Sequence, residues 1–348
     1  NFNSPIETAN DSFKWVSKYF DRITRPEQIL ASLPQAIQLM LDPADCGPAT
    51  IAMSQDVQGE TFDYPEIFFE ERIHEIRRVH PDPRQVKQAA EKLMNSKQPI
   101  IISGGGVLYS EAEEELSIFA KKHNIPVTST VMGIGCMTRD DPYYISAVGA
   151  LGEGSSNSLS KDTDLALAIG TKLADFTTGS WANFENPNFK LVSVNTARFD
   201  TTKHLATSVI SDAKIGLQQI SDALGDWRAP NTWYQRAIKE RDEWDAYVEK
   251  QSGPTNQEEP SYAHAVGAVY RNSDPSDIVV TAAGGLVGEV VQVWKPKQLN
   301  TFETEWGFSC MGYEISGALG IKMAKPDQDV VVFVGDGSYL LNNSDIYS

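Results

Sequence analysis

The chain has 348 residues, 41% hydrophobic and 22% charged, an ordinary globular composition that excludes disorder across its whole length and is sufficient for two or three domains. Asp and Glu outnumber Lys and Arg by 47 to 30, and the net charge of −17 argues against nucleic acid or an anionic membrane surface as the main partner, because both are polyanions. No apolar run approaches the ~20 residues that span a bilayer, and Cys46, Cys136 and Cys310 form no CxxC pair, so reduced thiols in a cytoplasmic protein are expected.

The opening Asn1-Phe2-Asn3-Ser4-Pro5 has no initiator Met and no basic or apolar signal-peptide region. The first segment reads as helices followed by a strand. Ser12 to Tyr19 is aromatic-rich, Thr24 is the expected N-cap of a helix with Pro26 in its first turn, and Ile29 to Leu41 carries apolar residues at helical spacing. Gly47-Pro48 breaks the chain before a short strand over Ala49 to Met53. Pro81-Asp82-Pro83 reads as a linker, with a boundary near residue 84. Beyond it helices and strands alternate. Helices are expected over Val86 to Asn95 and Ser110 to His123; strands are expected over Pro99 to Ser103, Ile125 to Thr130, Leu165 to Ile169 and Lys190 to Val194. Such alternation implies a parallel sheet with right-handed crossovers. Asn231 to Gln251 is a charged, Trp-bearing helix, ended by Ser252-Gly253-Pro254. A last α/β block has helices over Ser261 to Tyr270 and Gly312 to Met323, and strands over Ile278 to Thr281, Asn300 to Thr304 and Val330 to Val334.

Three glycine-bearing loops follow strands of that block. Val330 to Val334 delivers Gly335-Asp336-Gly337-Ser338; Thr281-Ala282-Ala283 leads into Gly284-Gly285; Glu305-Trp306-Gly307-Phe308-Ser309-Cys310-Met311-Gly312 precedes a helix of small residues. Ligands of open parallel sheets sit at the carboxyl ends of strands. Glycine lets a backbone approach a phosphate with its amides, and an aspartate held there suits Mg²⁺, a hard cation that takes oxygen ligands. Each loop has a plain structural reading as well: a tight turn with a surface aspartate at Asp336, a strand-to-helix turn at Gly284, and a core Met311 beside an inert buried Cys310. The histidines His74, His80, His123, His204 and His264 lack metal-ligand spacing, and an ordinary structural role is expected of His264.

Residues 300–345 resemble the diphosphate-binding domain of thiamine-diphosphate enzymes of the acetolactate-synthase type, in the order of the Gly307 to Gly312 tract, a helix, a strand and the Gly335-Asp336-Gly337-Ser338 turn. Gly47-Pro48-Ala49-Thr50-Ile51 with Gln55-Asp56-Val57 resembles the end of that family's pyrimidine domain, and Ser103-Gly104-Gly105-Gly106 the turn that opens its central domain. Longer strings, Tyr19 to Glu27, Cys46 to Gly59 and Phe308 to Gly317, resemble the branch of inositol catabolism that opens a cyclic trihydroxylated 1,2-dione to 5-deoxyglucuronate by C–C hydrolysis. The resemblance implies doubly wound parallel-sheet α/β domains: the end of a pyrimidine domain over 1–84, a central Rossmann-like domain with its connecting helix over 85–252, and part of a diphosphate domain over 253–348.

Residue by residue, the resemblance implies that Asp336 ligates Mg²⁺ and that Gly335, Gly337 and Ser338 hold the diphosphate of thiamine diphosphate. Gly284 and Gly285 would line the diphosphate loop. Met311 would offer its backbone N–H, and Ser309 its carbonyl, to the aminopyrimidine; the family more often has glycine at the Ser309 position. A homodimer or homotetramer and a small cyclic dione are the implied partners, and the family's central-domain FAD is not expected. Two departures follow. The family's activating glutamate has no match among the acidic residues near the N-terminus, so no catalytic residue is assigned. The Asn pair that completes its Mg²⁺ motif lies beyond Ser348, Asn342-Asn343 being too close to Asp336, so a piece of a longer protein is expected. Glu305 and Glu314 flank the cofactor loop, with substrate hydroxyls or a surface and helix-terminal role as their alternatives. The other functions weighed are a thiamine-diphosphate decarboxylase or carboligase such as acetolactate synthase, a non-catalytic α/β binding module, and a dinucleotide site at the central glycine turn, which lacks a full GxGxxG.

Overall fold

A computed structural model describes residues 3–4 and 6–348, and the chain divides after Val79 into two compact units. In the first, β1 (Tyr19–Ile23) pairs in parallel with β2 (Ala49–Met53), in register from Tyr19 with Ala49 to Ile23 with Met53. Parallel neighbours need a crossover, and helix Ile29–Met40 supplies it. Ile23, Ala36, Ala52 and Val57 form its small buried core. The expected order of helices and then a strand is therefore corrected to strand, helix, strand. Asp21 and Arg22 interrupt the apolar pattern of β1; Asp21 accepts from the Ser32 hydroxyl and Arg22 pairs with Asp11 at 2.7 Å. Thr24 is not the cap. The Gln28 side-chain oxygen reaches back to the Thr24 and Arg25 N–H groups at 2.6 and 2.9 Å.

Pro81-Asp82-Pro83 is more than a linker. Asp82 caps helix Pro83–Met94 by accepting from the Arg84 N–H at 2.8 Å, and Pro83, with no N–H to lose, takes the first turn. The helix so starts before Val86. It opens the second unit, which contains a six-stranded parallel sheet of β3 (Pro99–Ser103), β4 (Val127–Ser129), β5 (Tyr144–Ala147), β6 (Leu165–Ile169), β7 (Lys190–Asn195) and β8 (Thr207–Ile210) in the order β5-β4-β3-β6-β7-β8. The chain winds outward from β3, then reverses and winds the other way from β6, which is the doubly wound arrangement. Alternation along β3 explains its unbroken apolar run: Ile101 packs on one face with Leu167 and Val192, and Ile100 and Ile102 on the other with Ala166 and Leu191. Helix Asn231–Ser252 covers the second face, where the Trp233 indole N–H donates to the Pro99 carbonyl at 2.9 Å.

His123, the last residue of helix Glu113–His123, is inaccessible to solvent. Its ring nitrogens contact the Trp227 carbonyl at 2.7 Å and the Ser221 hydroxyl at 2.9 Å. Burial lowers its pKa below the ordinary 6.5, more than the Trp227 carbonyl raises it. The unfolded chain therefore takes up this proton first, and the stability held above 6.5 is lost as pH falls through that value toward the folded pKa. The urea midpoint is expected to drop between about pH 7.5 and pH 5.5, and part of that drop to vanish in His123→Gln; equal slopes in both proteins would show that another group is responsible.

The same unit contains a second sheet of β9 (Ile278–Thr281), β10 (Phe302–Thr304) and β11 (Val330–Val332), all parallel, in the order β10-β9-β11. Val279 and Phe302 face a core shared with Val287, Val290 and Trp294, whereas Ile278 and Val280 face Ala318 and Ile321 of helix Tyr313–Ala324. β11 is shorter than the run of β-formers suggests; beyond it the Phe333 N–H still donates to the Val280 carbonyl at 2.9 Å, and the Phe333 ring packs against Trp294 with centroids 5.9 Å apart. Among the described residues, no helix is long and apolar enough to cross a membrane.

Candidate functional site

Because β9, β10 and β11 are parallel, the loops that follow them leave the sheet at one edge. The residues assigned to cofactor and metal from the sequence lie on these loops or at the start of the helix that follows. Gly284 and Gly285 follow β9; Ser309 and Met311 follow β10; Gly335 precedes and Asp336, Gly337 and Ser338 open the helix Asp336–Asn342 that follows β11. Contacts join the loops in pairs. The Ser309 hydroxyl donates to the Ala282 carbonyl at 3.0 Å, tying the second loop to the first. A Cβ placed on Gly337 would lie 3.1 Å from the Met311 methyl group, which joins the second loop to the third.

Two carboxylates shape the second loop. Glu305 accepts from the Phe308 N–H at 2.9 Å and the Cys310 N–H at 2.7 Å. Burial raises its pKa, but the amides of Cys310 and Phe308 outweigh that and hold it below the ordinary carboxylate value. Glu314 is 0% exposed; one oxygen accepts from the Ala283 N–H at 3.1 Å and the other from the Gly312 N–H at 3.0 Å. Gly284 and Gly312 have φ of +83° and +95°, which glycine adopts without strain, whereas Ser309 reaches +54° with a side chain. A surface position is thus corrected for Glu314, which is buried in the first turn of its helix with backbone partners, while Glu305 accepts from amides of its own loop. Composition around Glu314 gives no sign of this, since its partners are main-chain amides, one beyond a distant strand end at Ala283 and one nearby at Gly312.

The core readings of Met311 and Cys310 are corrected: Met311 is 49% exposed and Cys310 is also exposed. Burial and the Glu305 carboxylate push the Cys310 thiol up, and burial pushes the Cys136 thiol up to about 12, so neither is an activated nucleophile. Ser261 caps the helix Tyr262–Asn272, and the His264 ring reaches back to the Ser261 hydroxyl at 2.8 Å. Phe176, in the short helix Asp175–Thr178 that follows β6, packs edge-on against Trp306 with centroids 5.5 Å apart and so reaches the second loop from the central sheet.

The arrangement suits an anion held with a divalent cation. Nothing lies within 4 Å of a Cβ built on Gly284, Gly285 or Gly335, so the first and third loops have open space beside their backbones. The exposed Asp336 carboxylate accepts from the neighbouring Gly337 N–H at 2.9 Å. Among the described residues no cluster of three or more His, Cys, Asp or Glu side chains is placed to hold a metal ion. A single aspartate oxygen with phosphate and water oxygens is, however, how Mg²⁺ is commonly held. These residues therefore fit a magnesium diphosphate group.

Comparison with known proteins agrees with the geometry. Residues 86–220 match the thiamine pyrophosphate enzyme central domain, and residues 282–347 match the C-terminal thiamine pyrophosphate binding domain. The chain is 38% identical to the 3D-(3,5/4)-trihydroxycyclohexane-1,2-dione hydrolase of Clostridium tetani, over 97% of the chain and 56% of that protein. Identity is 37% to the protein of the same name in Geobacillus thermodenitrificans, over 97% and 56%, and 38% to that of Bacillus velezensis, over 99% and 58%. It thus spans little more than half the length of these curated relatives. With both domain matches in order and its glycine loops gathered on one sheet edge, the chain belongs to the thiamine pyrophosphate enzyme family.

Proposed function

We propose that the whole protein is a thiamine-diphosphate- and Mg²⁺-dependent hydrolase that opens a trihydroxycyclohexane-1,2-dione to 5-deoxyglucuronate by cleaving a C–C bond. The observation that carries this reading is the edge of the second sheet, where three glycine loops and the Asp336 carboxylate emerge together. The names of the relatives support the choice of substrate. Bound thiamine diphosphate supplies the electron sink for cleavage beside a carbonyl. The chain's own residues bind and orient. Asp336 holds Mg²⁺; Gly335, Gly337, Ser338, Gly284 and Gly285 border the diphosphate; the Met311 N–H and the Ser309 carbonyl face the aminopyrimidine. The division into 1–84, 85–252 and 253–348, a homodimeric or homotetrameric assembly and a cytoplasmic location belong to the same proposal.

In the complete protein, Asp336→Ala is expected to abolish Mg²⁺-dependent thiamine diphosphate binding by calorimetry. The melting temperature should stay near that of the parent, because Asp336 is exposed and its carboxylate bonds the adjacent Gly337 N–H. Unchanged affinity would sink the metal assignment. Consumption of pyruvate in place of the dione would move the protein to the carboligase reading.

A further inference from the structure

We infer that Glu314 is a positioning residue that sets the first two cofactor loops before any cofactor binds, an inference that rests on reading this edge as the thiamine diphosphate site. Glu314 lies in the first turn of helix Tyr313–Ala324 with no exposed surface. Its two oxygens accept from amides that are far apart in sequence, Ala283 at 3.1 Å and Gly312 at 3.0 Å. Hydrogen bonds to a carboxylate are among the stronger ones, and a buried amide left without its acceptor carries a desolvation cost. The carboxylate therefore determines two peptide planes.

The N–H and C=O of a trans peptide point in opposite directions. Holding the Gly312 N–H on Glu314 turns the Met311 carbonyl away from it and fixes the peptide that follows Met311. Holding the Ala283 N–H leaves the Ala282 carbonyl facing the other way, where the Ser309 hydroxyl donates to it at 3.0 Å. The Ala282–Ala283 peptide is thus gripped at both ends, by Glu314 and by Ser309. The left-handed backbones of Ser309 (φ +54°), Gly312 (φ +95°) and Gly284 (φ +83°) lie beside these anchor points. One side chain consequently couples the loop that carries Gly284 and Gly285 to the loop that carries Ser309 and Met311. A glutamine in its place keeps one acceptor oxygen but turns an NH₂ donor toward the other N–H.

The test uses the complete protein with Glu314→Gln and Glu314→Asp. Hydrogen exchange is followed without cofactor, and thiamine diphosphate affinity is measured by calorimetry with Mg²⁺. In Glu314→Gln, exchange over 282–285 and 307–312 is expected to rise together while β9 and β10 stay protected. Affinity is expected to fall by about 10- to 100-fold, the range that corresponds to losing a charge-assisted hydrogen bond. Glu314→Asp keeps the charge but is one methylene shorter, and is expected to lie between the two. Wild-type affinity in Glu314→Gln, or a lowered melting temperature with unchanged affinity and exchange confined to neither loop, would overturn the inference. Should the parent protein bind no thiamine diphosphate, the proposed function fails instead, and the exchange data alone decide the role of Glu314: joint loss of protection in both loops supports it and unchanged protection overturns it. If Glu314→Gln does not fold, the same exchange criterion applies to Glu314→Asp.

Discussion

Lys295→Met is expected to destabilise the second unit by about 3–5 kcal/mol, the cost of leaving a buried charge without its partner. Lys295 follows helix Leu286–Val293, and its ammonium group pairs with Glu153, which precedes helix Gly154–Asp162 beside the central sheet. Glu153 is 2% exposed, and its second carboxylate oxygen has no hydrogen-bond partner among the described residues. Around the pair lie Arg139, Tyr144, Trp294 and Pro296, and Arg139 in turn pairs with Asp245 of helix Asn231–Ser252. Burial raises the Glu153 pKa and lowers that of Lys295, in each case against the attraction of the partner. Replacing Lys295 by an apolar side chain of similar length removes that attraction and leaves the burial. With its folded pKa above the unfolded value, Glu153 then contributes a stability that is present below about 4.5 and lost as pH rises through the folded pKa. The deficit of Lys295→Met relative to the parent should accordingly be smaller in mild acid than at neutral pH. Glu153→Gln combined with Lys295→Met should recover most of the loss, since neutral groups of similar shape replace a buried pair at little cost. Urea unfolding of the parent, the single and the double variant measures the cycle. A double variant as unstable as Lys295→Met would show that packing of the lysine stem, not its charge, carries the effect.

Where one physical term dominated, the sequence was legible. β3 and β6 coincide with the segments Pro99 to Ser103 and Leu165 to Ile169 because burial on both faces selects unbroken apolar runs. β9 was recognisable for the same reason. β1, β5 and β8 were not. Asp21 and Arg22 sit in the first, and Ser146, Thr207 and Ser208 dilute the other two, so hydrogen bonding and tertiary packing decide what apolar pattern does not. The cofactor loops were legible as glycine-bearing strand ends, and the parallel order β10-β9-β11 explains their convergence. What holds them was not. Glu314 and Glu305 act on backbone N–H groups, which every residue but proline possesses, so no residue type marks the partner. Thr281 and Thr304 show the same limit: they are neighbours in the register of β9 and β10, buried, and their hydroxyls lack a partner among the described residues.

Gly170→Ala is expected to cost about 2–5 kcal/mol, combining a strained left-handed backbone with overpacking. The central glycine turn explains why. Gly104, Gly105 and Gly106 follow β3 and meet Gly170 after β6, at the point where the winding of the sheet reverses. The two loops touch backbone to backbone: the Gly106 N–H donates to the Gly170 carbonyl at 2.8 Å, and a Cβ on either glycine would come within 2.6 Å of the other's Cα. Neither atom belongs to a flexible side chain that could move aside. Gly170 also has φ of +60°, so alanine there meets both penalties, whereas Gly106→Ala meets only the contact and should cost about 1–3 kcal/mol. The effects should not add in the double variant, because a single separation of the two loops relieves both clashes. Chemical denaturation of the three variants reads these differences directly. Gly170→Ala at parental stability would mean that the two loops can separate without loss, and that the glycines are not needed for close approach between β3 and β6.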